Sequence, residues 1–408
     1  TVGGRWGSNT DRHLMKMGHV HKGSVTLLSV ESEDPAAILF TSGSTGIPKG
    51  VVYRHRHFQA QVGLIRQCYD IRPGEVDCPT FPPFALFDPA LGMTTVIPIM
   101  DFTRPASVNP DMLVSLIQYY QVTNLFGSPA LMDTLTRFTQ AHDVSLLSLK
   151  RVISAGAPVS PRVVERMHKA LQSSVDIHTP YGATEGLPVA TVSGREILNG
   201  LSARHRNGFG ICVGRALPSN QVKIIEITDE PIASFDEVQD VGLETIGEIC
   251  VSGPSVTDCY WSRPEQTENA KIEDSQGRIW HRMGDVGWMD DAGRLWFCGR
   301  KSERVITASG VLFTECVEGI VNAVPGVKRS ALVGVSEQGD YLKDSQEPTV
   351  VLELEVGEDT QKVLALVKES LKERPLTQHI EKVIVRKSLP VDIRHNAKIR
   401  RLELAQSL

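Results

Sequence analysis

The chain has 408 residues, of which 41% are hydrophobic and 22% charged, as in globular proteins with room for two or three domains. Its 43 basic and 48 acidic residues give a net charge of −5, which provides no general reason to expect nucleic-acid binding. No apolar run is long enough to span a bilayer and the seven cysteines form no Cys-x-x-Cys pair, so we expect a cytoplasmic protein without an integral membrane segment, a disulfide framework or a zinc site.

Residues 1 to about 34 carry no recognisable chemistry, and an apolar strand predicted to be buried follows at 36–40. The next stretch, 41–50, reads Thr-Ser-Gly-Ser-Thr-Gly-Ile-Pro-Lys-Gly. Its glycines let backbone N–H groups approach an anion, its hydroxyls add donors and Lys49 adds a positive charge. The stretch therefore predicts a polyphosphate site. It is not a Walker A loop, because Pro-Lys-Gly replaces Gly-Lys-Ser/Thr, and the alternative is a flexible surface loop.

Strands and helices alternate from residue 51 to about 178. Strands are predicted at 51–53, 122–127 and 149–154, and helices at 56–69, 129–139 and 161–171. This alternation predicts an α/β fold with a mostly parallel sheet covered by helices on both faces. Ligands bind such sheets at the carboxyl ends of the strands, which is where the segments 155–158 and 181–185 fall.

The segment 181–185 reads Tyr-Gly-Ala-Thr-Glu and contains the groups that a magnesium–nucleotide site needs. Tyr181 offers a flat face for stacking on adenine, and Gly182 lets the backbone come close. Thr184 can bond a phosphate oxygen, and Glu185 supplies a hard oxygen ligand for Mg²⁺. Taken alone, the string fits a plain turn equally well. Its place after a phosphate loop favours the nucleotide site.

The pattern changes to short strands between about 205 and 300, at 222–227, 247–254 (ending in a turn) and 293–300, which predicts an antiparallel sheet or distorted barrel. Beyond residue 300, strands at 305–310, 329–335, 350–356 and 382–386 and helices at 315–324 and 361–372 predict a small α+β domain. We therefore divide the chain into a large domain at 1–300, β-rich from about 205, and a C-terminal lid domain at 301–408.

Five motifs, in order, resemble those of the adenylate-forming (ANL) superfamily of acyl-CoA synthetases, peptide-synthetase adenylation domains and luciferases. The resemblance covers residues from about 34 to 401 and implies the fold of that family: a large α/β domain, a small β-barrel-like subdomain and a C-terminal lid. Relatives carry the phosphate loop more deeply in the large domain, so we expect an N-terminally incomplete chain. The motifs are 41–50, 154–158, 181–185, 283–285 with Arg300, and 389–399.

The resemblance implies a role for each motif. ATP would lie on the phosphate loop and the adenine-edge loop 154–158, with its ribose on Asp285 and Arg300 and its Mg²⁺ on Glu185. Lys398 would hold the substrate carboxylate and the α-phosphate in the transition state, the alternative being a solvated basic patch. The implied nucleotide-binding residues are Thr41, Ser42, Gly43, Ser44, Thr45, Gly46, Lys49, Gly156, Ala157, Pro158, Tyr181, Gly182, Ala183, Asp285 and Arg300, and the catalytic set is Lys398, Thr184 and Glu185.

An aromatic and proline-rich segment, 81–90, stands where relatives carry a Pro-x-Phe-His sequence whose aromatic residues line the acyl pocket. The resemblance therefore implies a substrate pocket that contains Phe84, Phe87, Phe126 and Gly127. Three positions depart from the family pattern: Ala85 replaces a frequent His, Ala397 replaces the usual Gly, and Ser302 occupies the hinge position.

Three longer strings, 53–58, 81–92 and 390–398, resemble the β-lactone synthetases of bacterial long-chain olefin biosynthesis. In that branch ATP adenylates a long-chain 2-alkyl-3-hydroxy carboxylic acid, and the acid's own 3-hydroxyl then displaces AMP to close a β-lactone. An internal hydroxyl in near-attack geometry needs no second substrate. His178, His281 and His395 are unranked candidates for the base. The resemblance also implies two partner enzymes, a β-lactone decarboxylase and a 3-ketoacid reductase.

Two alternatives remain open at the level of sequence. A long-chain fatty acyl-CoA ligase or acyl-AMP ligase would share the first half-reaction and differ in the second. A truncated, adenylate-binding fragment without catalytic activity would share only the nucleotide site.

Overall fold

The computed structural model describes residues 29–41, 47–336, 345–391 and 399–408. The predicted phosphate-loop residues 42–46 and the segment 392–398, which includes Lys398 and His395, lie outside the described residues. Within the described ranges, no helix combines the length and the apolar character needed to cross a membrane.

The first part of the chain follows the predicted alternation of strands and helices. Ser128 and Ser160 cap two of the helices by accepting a backbone N–H bond, and a proline occupies the next position in both. In chain order the elements are β1 (Pro35–Phe40), β2 (Gly50–Arg54), α1 (His55–Tyr69), β3 (Val76–Pro79), a 3-10 helix (Pro82–Leu86), α2 (Asp88–Leu91), β4 (Thr94–Thr95), a 3-10 helix (Pro105–Ser107), α3 (Pro110–Tyr119), β5 (Asn124–Gly127), α4 (Pro129–His142), β6 (Arg151–Ser154) and α5 (Pro161–Ala170).

The next part is rich in strands, as predicted from about residue 205, but the strands begin earlier. The segment 181–183, expected in a loop, is the end of a strand that continues through a tight turn into a hairpin partner. The elements are β7 (Ile177–Ala183), β8 (Gly186–Ser193), α6 (Gly194–Glu196), α7 (Ser202–Arg206), β9 (Ile211–Ala216), β10 (Gln221–Ile225), a 3-10 helix (Phe235–Glu237), β11 (Gly247–Ser252), α8 (Pro264–Ala270), β12 (Lys271–Glu273), β13 (Ile279–Met289) and β14 (Leu295–Arg300).

The last part forms the predicted α+β arrangement around its own three-stranded sheet, in the order β17, β18, β19. Its elements are a 3-10 helix (Lys301–Glu303), β15 (Val305–Thr307), β16 (Gly310–Leu312), α9 (Thr314–Val321), β17 (Val327–Val335), β18 (Glu347–Leu354), α10 (Thr360–Lys372), β19 (Lys382–Val385) and α11 (Arg401–Gln406). Helix α9 packs directly against α7. The two helices are so close that a Cβ added at Gly319 would lie 2.4 Å from the His205 backbone oxygen. The domain division at residue 300 stays a prediction.

A single 12-stranded sheet connects the parallel and antiparallel parts that the sequence suggested separately. Strands β4, β3, β5, β6 and β7 run parallel. Strand β8 then pairs antiparallel with β7 on one side and with β9 on the other, and β14, β13, β11 and β10 follow. Because β8 belongs to both parts, the nucleotide-site motifs on β7 and β13 are carried by one continuous sheet.

Helices cover both faces of the parallel strands. On one face, Leu125 and Val152 are buried in a cluster with side chains from α3, α4 and α5. The next residue of each strand, Phe126 and Ile153, points to the other face and packs with Tyr69 at the end of α1. This alternation is what the period of a strand requires, and it confirms the predicted two-sided cover of the sheet.

The first strand differs from its prediction. Residues 36–40 were expected to be buried, yet Phe40 is 67% exposed and Leu39 is 40% exposed. Its place in the fold accounts for this exposure: within the part of the chain that the structure describes, β1 pairs only with β2, in a two-stranded sheet outside the main one. An apolar run predicts a buried strand only where a second layer covers it.

Gly214 on β9 lies at the junction of the two parts of the sheet, and we predict that it tolerates no side chain. Its φ of +87° disfavours L-residues, and an added Cβ would lie 1.7 Å from the Thr191 oxygen on β8. We expect Gly214→Ala to lower the free energy of unfolding by roughly 3 kcal/mol or more, since left-handed backbone costs roughly 1–2 kcal/mol and overpacking adds a similar amount. Urea denaturation followed by tryptophan fluorescence measures this loss.

Gly74 provides the matched control, because its φ is also +87° but nothing lies within 4 Å of an added Cβ. Gly74→Ala should cost only the conformational part, about 1–2 kcal/mol. Equal losses in the two variants would show that the close contact at the β8–β9 junction contributes nothing.

Candidate nucleotide and acyl site

The carboxyl ends of three neighbouring parallel strands meet at one edge of the sheet. Strand β5 ends at Gly127, β6 at Ser154 and β7 at Ala183. The predicted adenine-edge residues Gly156, Ala157 and Pro158 follow β6 directly, and Gly156 adopts a φ of +96°. The structure thus brings the motifs at 154–158 and 181–185 to the same edge, as expected for a ligand site in a parallel sheet.

The Thr184–Glu185 turn between β7 and β8 is held by hydroxyl groups. The Tyr53 hydroxyl donates to the Thr184 carbonyl at 2.6 Å. Thr257 donates both its backbone N–H and its side-chain hydroxyl to the Glu185 carbonyl, each at 2.9 Å. The Tyr260 hydroxyl donates to Glu185 Oε1 at 2.7 Å. The turn and the direction of the carboxylate are therefore fixed before any ligand binds.

Glu185 is a buried carboxylate in a basic environment. Burial alone would raise its pKa, but the neighbouring His281, the Tyr260 hydrogen bond and the Lys271 ammonium outweigh burial and lower the pKa below its usual value. Burial in turn lowers the pKa of Lys271 to about 7 and that of His281 to about 3. Glu185 is consequently ionised at neutral pH, which is the form that binds a hard cation.

These residues fit a magnesium–nucleotide site. Among the described residues, no three His, Cys, Asp or Glu side chains cluster as a metal cage. Mg²⁺ at nucleotide sites is held by one or two carboxylates together with phosphate oxygens and water. One oriented carboxylate is therefore enough as the protein's contribution to the metal ligands. Tyr260 occupies only Oε1 of Glu185. The role of Glu185 as the metal ligand stays a prediction.

Two described residues close the base of the predicted phosphate loop. Thr41 N donates to the Lys49 carbonyl at 3.0 Å, and Lys49 N donates to the Thr41 hydroxyl at 3.1 Å. The Lys49 ammonium lies 4.5 Å from the centre of the Tyr260 ring, a cation–π contact. Tyr260 therefore contacts both the phosphate-loop lysine, through its ring, and the predicted metal ligand Glu185, through its hydroxyl.

The predicted ribose residues form a second group around Asp285. Asp285 on β13 and Arg300 on β14 are directly opposite each other, and the guanidinium lies 2.7 Å from the carboxylate. The Tyr181 hydroxyl donates to the same carboxylate at 2.6 Å. Tyr181 was predicted to present its face to adenine; the structure adds that its hydroxyl is anchored on Asp285, which joins β7 to β13.

The predicted acyl-pocket phenylalanines lie together. Phe84 stacks on Phe126 with ring centres 4.1 Å apart, and Phe87 lies 6.0 Å from Phe84. The segment that carries Phe84 and Phe87 is a 3-10 helix followed by a short α-helix. Gly127 differs from the three, because a side chain there would point to the opposite face, 2.8 Å from Thr80 Oγ1. It contributes only backbone to the aromatic group.

Of the candidate bases, two lie within the described residues. His281 is buried, with Nδ1 3.1 Å from the Ala270 carbonyl. His178 is half-buried at the start of β7, its ring centre 5.4 Å from that of Tyr69. Burial is the largest cause that lowers the pKa of both rings.

Sequence reasoning missed the residues that support the site. Tyr53, Thr257, Tyr260 and Lys271 come from three segments distant from the Thr184–Glu185 turn. Tyr53 begins the string 53–58, but the resemblance of that string assigned it no role, and the other three residues belong to no string with a recognisable pattern. Only the pairing of strands in the folded chain shows that these side chains converge.

Comparison with known proteins agrees with this geometry. Residues 10–261 match the AMP-binding enzyme family. Olefin beta-lactone synthetases from Stenotrophomonas maltophilia and Xanthomonas campestris pv. campestris are each 48% identical to the chain, over 99% of its length and 72% of theirs. The structure of ATP-bound MatB from Rhodopseudomonas palustris superposes with a TM-score of 0.72 at 22% identity, covering 97% of this chain and 72% of that one.

The fold and the order of the motifs agree with these similarities. The 48% identity extends over nearly the whole chain, beyond the 10–261 segment and into the C-terminal part. This chain belongs to the AMP-binding family of adenylate-forming enzymes.

Proposed function

We propose that the chain activates a long-chain 2-alkyl-3-hydroxy carboxylic acid with ATP and closes it to a β-lactone. The observation that carries the proposal is the identity of 48% to olefin beta-lactone synthetases over almost the whole chain, together with a site in which Glu185, Tyr181 and Asp285 lie on one sheet. The reaction consumes ATP and the acid and releases pyrophosphate, AMP and the lactone.

In the first half-reaction, a carboxylate oxygen of the acid attacks the α-phosphorus of ATP and pyrophosphate leaves. Tyr181 and Arg300 orient the Asp285 carboxylate, and that carboxylate accepts the ribose hydroxyls. In this proposal Thr184 and residues 41–49 bind the phosphates, and Lys398 stabilises charge on the α-phosphate. Glu185 would hold the Mg²⁺ ion, which when bound would neutralise phosphate charge.

In the second half-reaction, the acid's 3-hydroxyl oxygen attacks the carbonyl of the acyl-adenylate, its proton passes to a base and AMP leaves. The nucleophile belongs to the activated molecule, so the step depends on holding the chain in a near-attack conformation. Phe84, Phe87 and Phe126 supply an apolar wall for an alkyl chain. No thiol acceptor is required.

The chemistry of the substrate and of the product indicates which reactions precede and follow this one. A 3-hydroxy acid arises by reduction of a 3-keto acid, and a β-lactone loses CO₂ to give an olefin. We therefore propose that the enzyme works in the cytoplasm beside a 3-ketoacid reductase and a β-lactone decarboxylase.

The decisive test is turnover with and without coenzyme A. With ATP, Mg²⁺ and a racemic 2-alkyl-3-hydroxy acid, we expect pyrophosphate, AMP and a lactone detected by mass analysis, in the absence of coenzyme A. The same acid lacking its 3-hydroxyl should be adenylated but give no lactone. Obligatory formation of a thioester would instead identify an acyl-CoA ligase.

Lys398→Ala should lower the rate of pyrophosphate release by roughly 100-fold or more, because the transferring phosphate loses a positive charge that stabilises its transition state. Arg400→Ala is the matched control. Arg400 is also basic and lies two residues away, but it is 56% exposed and paired with Glu403 at 3.4 Å, so its loss should leave the rate unchanged. Equal effects of the two substitutions would support a solvated basic patch instead.

Phe84→Ala should raise the KM for a long-chain acid by about tenfold or more, since an apolar side chain contributes roughly 1.5–3 kcal/mol when fully buried against a ligand. The KM for ATP and the KM for a short-chain acid should change little. Leu86→Ala, in the same 3-10 helix but 78% exposed, is the control. An equal rise in the KM for long-chain and short-chain acids would show that Phe84 does not line the acyl pocket.

A further inference from the structure

A buried lysine stands behind the Thr184–Glu185 turn, and the proposed reaction gives it no role. Lys271 is the first residue of β12 and is 8% exposed. It lies directly opposite His281 on β13. Removing an ammonium group from water costs several kcal/mol unless hydrogen bonds or charges compensate for it, so this position demands a physical explanation.

The hydrogen bonds of Lys271 lead to Glu185. The ammonium is 3.2 Å from Thr257 Oγ1, and the Thr257 hydroxyl is 2.9 Å from the Glu185 carbonyl. A carbonyl oxygen can only accept, so the single hydroxyl hydrogen of Thr257 is directed to Glu185, and the Lys271 nitrogen is the donor to Thr257. Lys271 donates to Thr257, and Thr257 donates to Glu185. Thr257 is fully buried, which excludes water as a competing partner for its hydroxyl.

The second support of Glu185 comes from the same region. Tyr260 follows Thr257 by three residues and binds Oε1 of the carboxylate at 2.7 Å. One segment, 257–260, thus holds both the backbone and the side chain of Glu185. The Lys271 side chain fixes the hydroxyl of the first residue of that segment.

We propose that Lys271 is a positioning residue for the metal-binding carboxylate: through Thr257 it fixes the turn from which Glu185 reaches the Mg²⁺ of ATP. This inference rests on the proposed adenylation, in which Glu185 is the metal ligand. Lys271 touches neither substrate nor metal and acts through Thr257. Outer-shell partners of metal ligands usually contribute 10- to 100-fold to metal affinity or activity.

The test measures binding, so it does not depend on turnover. Isothermal titration of the α,β-methylene analogue of ATP, once with Mg²⁺ and once with EDTA, gives the ratio by which the metal strengthens binding. We expect Lys271→Met and Thr257→Val each to lower this ratio about tenfold, with the affinity in EDTA unchanged. Thr257→Ser keeps the hydroxyl and should keep the ratio. The double variant should be no worse than either single one, since both break one chain.

Thr139→Val is the control for removing a buried threonine hydroxyl, because Thr139 is 2% exposed and donates to the Thr136 carbonyl at 3.1 Å, in α4. It should leave the ratio unchanged. If Lys271→Met does not fold, the Thr257→Val and Thr257→Ser pair still decides the question.

Three results would overturn the inference: equal losses of affinity in Mg²⁺ and in EDTA, additive effects in the double variant, or a wild-type affinity that is the same in both media. If the variants lose the metal-dependent ratio but the wild-type protein forms no lactone, the inference about Lys271 stands and only the proposed second half-reaction is wrong. The two proposals can therefore fail separately.

Discussion

The hydrogen bond from Tyr260 to the buried carboxylate of Glu185, 2.7 Å long, is the contact on which the nucleotide site depends. A carboxylate removed from water tends to take up a proton and lose its charge. Here Tyr260, Lys271 and His281 together reverse that tendency, so the pKa stays below its usual value. The result is an anion held in one orientation inside a protein wall, which is a suitable preorganised ligand for a cation that dehydrates reluctantly.

The continuity of the sheet places this anion relative to the ribose residues. Tyr181 lies on β7, four residues before Glu185, and its hydroxyl binds Asp285 on β13 at 2.6 Å. Asp285 faces Arg300 across the β13–β14 ladder. A nucleotide that spans these groups would contact the end of the parallel strands and the middle of the antiparallel ones. The β8–β9 pairing, with its glycine at 214, therefore determines the distance between the two halves of the site.

A buried ion-pair network anchors the C-terminal part close to the proposed catalytic lysine. Arg401 begins α11, three residues after Lys398, and forms ion pairs of 2.8 Å with Glu318 on α9 and with Glu303. Glu303 lies in the 3-10 helix that follows β14. Arg401 thus links α11, which follows Lys398 in the sequence, to the start of the C-terminal part. Removing one partner of such a network leaves a buried charge uncompensated, which is strongly destabilising.

The sequence alone determined the order of elements, the parallel sheet and the motif residues, because strand and helix periodicity and glycine-rich loops are local properties of the chain. It did not determine that Tyr181 binds Asp285, or that Thr257, Tyr260 and Lys271 support Glu185, because these contacts join residues 14 to 104 positions apart. It also misjudged the burial of 36–40, since burial depends on what packs over a strand. Local patterns predicted which groups react; only the packing of distant strands decided how those groups are held and charged.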